Sequence, residues 1–209
     1  MFRVFNREKR KRRNIITTII VDFKEGRVYA DRQTTNTHAQ CENKLFDTLI
    51  GNKVYGVTTL YENQTTKVHK LDNGIIFSAA GSCDIIDKCH QAVMHNKPLP
   101  SPTEEDHLGT TILVVTKTGD AENATITLTT YSSRRKSTSW YREQQFEWER
   151  KSFKKTEGYA TLGSGQQYAM GALMAGATPE EAIVATSKVC LYTNADVQSE
   201  GFDDDIQTN

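Results

Sequence analysis

Residues Ile15-Ile16-Thr17-Thr18-Ile19-Ile20-Val21-Asp22 form a nearly unbroken run of β-branched side chains closed by one carboxylate. Branching at Cβ stiffens χ1 and packs best on a pleated surface, so the run reads as a strand. Gly26 then supplies a turn, and Arg27-Val28-Tyr29-Ala30-Asp31 resumes the strand pattern. Residues 15–31 are therefore expected to form a buried hairpin. A sheet must bury its apolar face against another layer, and 209 residues suffice for one domain with a substantial core.

The remainder of the chain supplies more hairpins and a few helices. Lys67–Leu71 alternates charged and apolar residues, Asp72-Asn73-Gly74 is a turn signal, and Ile75–Ala80 reads as a buried strand ending at Gly81. From there Ile85, Ile86, Cys89, Ala92 and Val93 recur at helical spacing behind Ser82, predicting a capped helix to about His95. Strands are expected over Thr110–Thr116, Ala124–Tyr131 and Tyr159–Leu162, and Gly163-Ser164-Gly165 opens a helix rich in small residues. Thr178-Pro179-Glu180-Glu181 has the pattern of a capping box. Residues 32–66 show little period and are expected to be loop with one short strand near Lys53–Val57. Hairpins in place of βαβ alternation point to an α+β fold.

Formal net charge is zero, but it is unevenly placed. The first thirteen residues hold Arg3, Arg7, Lys9, Arg10, Lys11, Arg12 and Arg13 against Glu8, a net of +6. This segment reads as a solvated tail, a nucleic-acid arm or a propeptide. Residues 132–156 interleave cations with Trp140, Tyr141, Phe146, Trp148 and Phe153. An exposed helical or hairpin insertion whose aromatics pack on the body or on another subunit is expected, with stacking on nucleic acid as the alternative. Cys41, Cys83, Cys89 and Cys190 lack paired metal-ligand spacing, and no apolar run reaches the roughly 18 residues of a membrane span. A cytoplasmic protein without membrane association is expected.

Singly, a Thr-Thr pair, a strand-end Asp or a Lys before Val says little. In order they are more specific: Thr17-Thr18-Ile19, Ala30-Asp31-Arg32-Gln33-Thr34-Thr35, Lys67-Val68-His69-Lys70-Leu71, Ala79-Ala80-Gly81-Ser82, Leu162-Gly163-Ser164-Gly165 with Tyr168-Ala169, and Cys190-Leu191-Tyr192-Thr193-Asn194. This set, spanning Thr17 to Asn194, resembles the proteasome β-subunit family of N-terminal-nucleophile hydrolases, most closely its bacterial HslV-type branch. The resemblance implies a four-layer αββα sandwich, a homo-oligomeric ring and threonine-type peptidase activity on peptides or unfolded polypeptides, with an ATP-driven unfoldase as a partner. It gives Thr17 the role of nucleophile with its freed α-amine as base, Lys67 that of a cation favouring the alkoxide, and Asp31 that of its partner. Gly81 becomes the oxyanion donor and Ser164 a proton-passing hydroxyl. No cofactor is required; the resemblance allows a sodium ion on backbone carbonyls of Ser187, Cys190 and Thr193.

The implied organisation is a basic extension or propeptide over 1–16, a hydrolase domain over 17–198 with insertions near 36–66 and 132–156, and an acidic tail over 199–209. Ile16 stands where self-processing members usually carry Gly. The interval from Asp31 to Lys67 is longer than in the HslV branch, which leaves Lys53-Val54 as a rival for the lysine. Two readings follow: a peptidase exposed by removal of residues 1–16, or an uncleaved, inactive scaffold that binds nucleic acid or a protein partner.

Overall fold

The computed structural model describes residues 12–15, 17–40, 56–63, 65–103, 109–119, 124–136 and 145–202; for 12–15, 34–40 and 56–63 only the backbone is described. The fold is mixed α+β, with two antiparallel sheets and few helices. The smaller sheet has the order β11-β2-β3-β12, formed by β2 (Thr18–Asp22), β3 (Arg27–Asp31), β11 (Tyr159–Gly163) and β12 (Val197–Gly201). The larger has the order β10-β9-β8-β7-β1-β4-β5. Its members are β1 (Arg12–Ile15), β4 (Gln33–Gln40), β5 (Gly56–Asn63), β7 (Ile76–Ser82), β8 (Thr111–Thr118), β9 (Thr125–Lys136) and β10 (Gln145–Lys155), and β6 (Val68–Lys70) pairs with the first half of β7.

Alternation along the strands sorts the apolar residues into three clusters. Ile19, Val21, Phe23, Val28 and Ala30 of the β2–β3 hairpin pack against Val68, Ile76, Ala80, Leu113, Val115, Ile126 and Leu128 of the larger sheet. The opposite face of β2 and β3 sends Ile20 and Tyr29 to Ala169 and Leu173 of α2 (Gln166–Met174) and to Ala182 and Ile183 of α3 (Pro179–Ser187). On the larger sheet, Phe77, Ala79 and Ile112 meet Ile85, Ile86 and Cys89 of α1 (Cys83–Met94). The period-2 strands and the helical stripe of α1 thus account for the core.

Several expectations need amendment. The run from Ile15 is not one strand: β1 belongs to the larger sheet and β2 to the smaller. Arg12–Asn14, read as part of a solvated tail, join Ile15 in a strand that pairs with both β4 and β7. Gln33–Gln40, read as loop, forms an eight-residue ladder with Gly56–Asn63; its polar, threonine-rich composition hid it because this strand has no apolar alternation. Ser82 is the N-cap of α1 by position, without a side-chain cap bond. Segment 132–156 is largely the extension of a β9–β10 hairpin, paired from Ile126↔Lys155 to Lys136↔Gln145. Its Trp148 packs with Tyr131 on the α1 cluster and donates to the Pro100 carbonyl at 2.7 Å. Arg134 is paired at 2.9 Å with Glu147 across the same hairpin. The boundary drawn at residue 199 falls inside β12, whose Ser199–Gly201 pair with β3. The sequence readings of Arg3–Lys11, Cys41, the Lys53–Val54 rival, Trp140, Tyr141 and Asp203–Asp205 lie outside the described residues.

The capping box forms as expected: Thr178 Oγ1 accepts from the Glu181 N–H at 3.3 Å, and Glu181 accepts from the Thr178 N–H at 2.9 Å. Thr178→Ala should lower unfolding free energy by about 1 kcal/mol, read as a lower denaturant midpoint at unchanged slope, while Thr178→Ser should stay near wild type.

Candidate active site

Backbone topology brings the sequence-picked residues to one end of the two sheets. Thr17 immediately precedes β2 and Asp31 closes β3, so the β2–β3 register, with Ile19 opposite Ala30, sets the two side by side. Lys67 immediately precedes β6, whose pairing with β7 carries it on the larger sheet. Ser164 follows β11, which pairs Gly163 with Thr18.

Asp31 is the centre of the site. Its Oδ1 accepts from Thr17 Oγ1 and, at 2.8 Å, from the Thr18 N–H. Its Oδ2 accepts from the Gln33 N–H at 3.0 Å and from Lys67 Nζ at 3.1 Å, and the Asn194 N–H lies at 3.5 Å. Both side chains of the Asp31–Lys67 pair have 0% exposure. Removing two charges from water is costly unless their remaining hydrogen-bonding capacity is filled, and the backbone donors around Asp31 fill its carboxylate. Lys67 has less support: burial lowers its pKa to about 8, although the charge and hydrogen bond of Asp31 pull upward. Burial likewise lowers His69 and His90, whose rings stand 4.7 Å apart near Phe77.

Glycines shape the walls. Gly163 has φ +90°, and a Cβ there would sit 1.9 Å from the Thr17 carbonyl oxygen. A Cβ at Gly165 would sit 2.1 Å from Thr18 Oγ1. Between them the Ser164 N–H donates to the Thr17 carbonyl at 3.0 Å. The Ser164 hydroxyl contacts Cys190 Sγ at 3.7 Å, so the contact of Ser164 with Thr17 runs through its backbone. Gly81 enters indirectly: it pairs with Ile15, two residues ahead of Thr17, while Asn14 pairs with Ser82. On its other edge β1 pairs Arg12, Arg13 and Asn14 with Thr37, Asn36 and Thr35.

Sequence reasoning missed three features of the site. Thr18 Oγ1 and Thr193 Oγ1 share a 2.7 Å hydrogen bond that ties the start of β2 to the turn after α3. Gln33 holds Asp31 by its backbone and donates from Nε2 to the Leu191 carbonyl at 3.0 Å. Its position two residues after Asp31 was visible, but a side chain's long-range partner was not. The third is β1. Of the sodium trio, Cys190 accepts the Thr193 N–H at 3.2 Å and the Ser187 hydroxyl donates to Val184 at 2.8 Å. Among the described residues no group of three or more His, Cys, Asp or Glu side chains is arranged to hold a metal ion. No protein-family model and no curated protein matches the chain.

Two outcomes are expected. Asp31→Asn, which leaves the Lys67 ammonium buried without a counter-charge, should destabilise the fold by roughly 3 kcal/mol, measured by denaturant unfolding at pH 7. The second concerns pH. The folded-state pKa of Lys67 lies near 8, below its ordinary 10.5, so between those values the unfolded chain binds the additional proton. Its contribution to stability therefore rises with pH from about 8 upward. Unfolding free energies measured at intervals from pH 7.5 to 9.5 should carry this positive component, and Lys67→Met should remove it.

Proposed function

We propose that the chain is the precursor of a threonine-type peptidase that cuts its own backbone before Thr17 and then hydrolyses peptides or unfolded polypeptides. One observation carries the reading. β1, the segment directly ahead of Thr17, lies antiparallel between β4 and β7, the position of an extended peptide added to a sheet. Its last residue, Ile15, is two residues ahead of Thr17, whose hydroxyl donates to the buried Asp31–Lys67 pair.

In the intact chain the Thr17 nitrogen is an amide and cannot serve as base. The hydroxyl proton passes to its partner Asp31, and the Lys67 ammonium on the other carboxylate oxygen stabilises the negative charge that develops. Thr17 Oγ1 attacks the carbonyl carbon of residue 16, and the oxyanion takes a hydrogen bond from the Gly81 N–H. Collapse breaks the C–N bond, the nitrogen receives the proton, and residue 16 is left as an ester on Thr17. Water hydrolyses the ester, releasing residues 1–16 as a carboxylic acid and freeing both hydroxyl and α-amine. The α-amine titrates near ~7.7–8.0 and is partly neutral at physiological pH, so later turnovers have a base adjacent to the nucleophile.

The three apolar clusters support the finer reading of the fold as a four-layer αββα sandwich. A homo-oligomeric ring accords with Tyr168, Met174, Val189 and Leu191, large apolar side chains exposed on α2 and the turn after α3; an ATP-driven unfoldase is the proposed partner. No cofactor is needed. Neutral carbonyls at Ser187, Cys190 and Thr193 suit a monovalent cation, since the Cys190 carbonyl keeps a lone pair beyond its Thr193 bond; such an ion would brace the turn that touches Thr18. Among the described residues no helix is long and apolar enough to cross a membrane, and a cytoplasmic location is part of the proposal. The scaffold reading, with nucleic acid or a protein as ligand, draws on the complete burial of Thr17.

Thr17→Ala should abolish both loss of residues 1–16 and hydrolysis of an unfolded substrate without lowering the thermal midpoint by more than a few degrees. Continued hydrolysis in that variant would mean that Thr17 is not the nucleophile. Binding of single-stranded nucleic acid that weakens steeply with salt and is lost on deleting residues 1–13, with no peptide hydrolysis by wild type, would favour the scaffold.

A further inference from the structure

We infer that Thr110 is a positioning residue for the oxyanion donor, holding Gly81 in place by packing against it and by a hydrogen bond to the next peptide; this rests on the peptidase reading above. The ladder between β7 and β8 ends at Ala80↔Thr111. One residue further, Gly81 stands opposite Thr110 at the point where β7 begins to pair with β1 instead. Successive N–H groups of a strand point to opposite edges. The Ser82 N–H points to the β8 side and donates to Thr110 Oγ1 at 3.1 Å, so Gly81 faces the β1 edge, where it pairs with Ile15.

The Ala80 ladder restrains the peptide that carries the Gly81 N–H, and Thr110 restrains the one that follows, so that Gly81 is held from both sides. Gly81 needs that restraint. Its φ of +128° is a conformation that side-chain-bearing residues rarely adopt, and glycine has no Cβ to confine it. The same threonine explains why a glycine stands there: a Cβ at 81 would lie 2.4 Å from Thr110 Cα and 2.5 Å from its Oγ1.

Thr110 is itself held. It is 1% exposed, and its carbonyl accepts from the Ser133 N–H at 3.0 Å and the Ser133 hydroxyl at 3.4 Å. Ser133 lies in β9, opposite Trp148 of β10. The extended β9–β10 hairpin therefore has a second consequence beyond covering α1: it braces the residue that aims the oxyanion donor.

The test uses full-length wild type, Thr110→Val and Thr110→Ser, each assayed for loss of residues 1–16 and for steady-state hydrolysis of a fluorogenic peptide. Valine matches threonine in shape and removes the acceptor. It should lower kcat by about 10- to 100-fold, the scale of a misplaced catalytic group, with KM changed by less than about threefold and maturation slowed in parallel; serine should restore kcat. If valine lowers the thermal midpoint, Thr110→Ala, which cannot crowd Gly81, should show the same split between kcat and KM. Wild-type kcat in both Thr110→Val and Thr110→Ala overturns the role of Thr110, as does a loss that Thr110→Ser fails to restore. A wild-type chain that neither matures nor hydrolyses peptide overturns the peptidase reading and this inference with it.

Discussion

The Asp31–Lys67 pair is the constraint on which the arrangement depends, because it joins the two sheets where their chemistry meets. Asp31 belongs to the smaller sheet and Lys67 leads into the larger. Both are removed from water, so neither sheet can shift at this end without leaving a charge unmatched. A buried pair of this kind is weak evidence for stability, since desolvation offsets much of the attraction. Here its geometry has a further use. The carboxylate that neutralises Lys67 also receives the Thr17 hydroxyl and the Thr18 amide, so one group fixes both that hydroxyl and the cation.

The surroundings act by restricting backbone. Gly163 and Gly165 let the β11–α2 turn press on Thr17 and Thr18, where any side chain would collide. The Thr18–Thr193 bond closes the other side. Ahead of Thr17, β1 takes the place between β4 and β7 in the intact chain. On the peptidase proposal, this segment and a substrate strand would compete for the same edges.

Much of this was legible in the sequence, for identifiable reasons. The β2–β3 hairpin announced itself through β-branched residues and Gly26, α1 through its apolar stripe, and α3 through a local capping box. Asp31 contacts both Thr17 and Lys67, because strand ends carry side chains to predictable places. The rest depended on pairings that leave no local mark. β1 is short, basic and polar at its start, and becomes a strand because two edges are available to it. β4 lacks apolar alternation, and Ser164 reaches Thr17 by an amide that any residue would have supplied. Thr110 had no signal at all, since its importance lies in which residue it faces across a ladder end.

The central claim is that the peptide bond between Ile16 and Thr17 is cut by the chain itself, and the most direct measurement is the intact mass and N-terminal sequence of the purified full-length protein over time. The account predicts a product beginning at Thr17, together with a released fragment of residues 1–16. A chain that persists uncut, with residues 1–16 still attached in the assembled and folded protein, would contradict it.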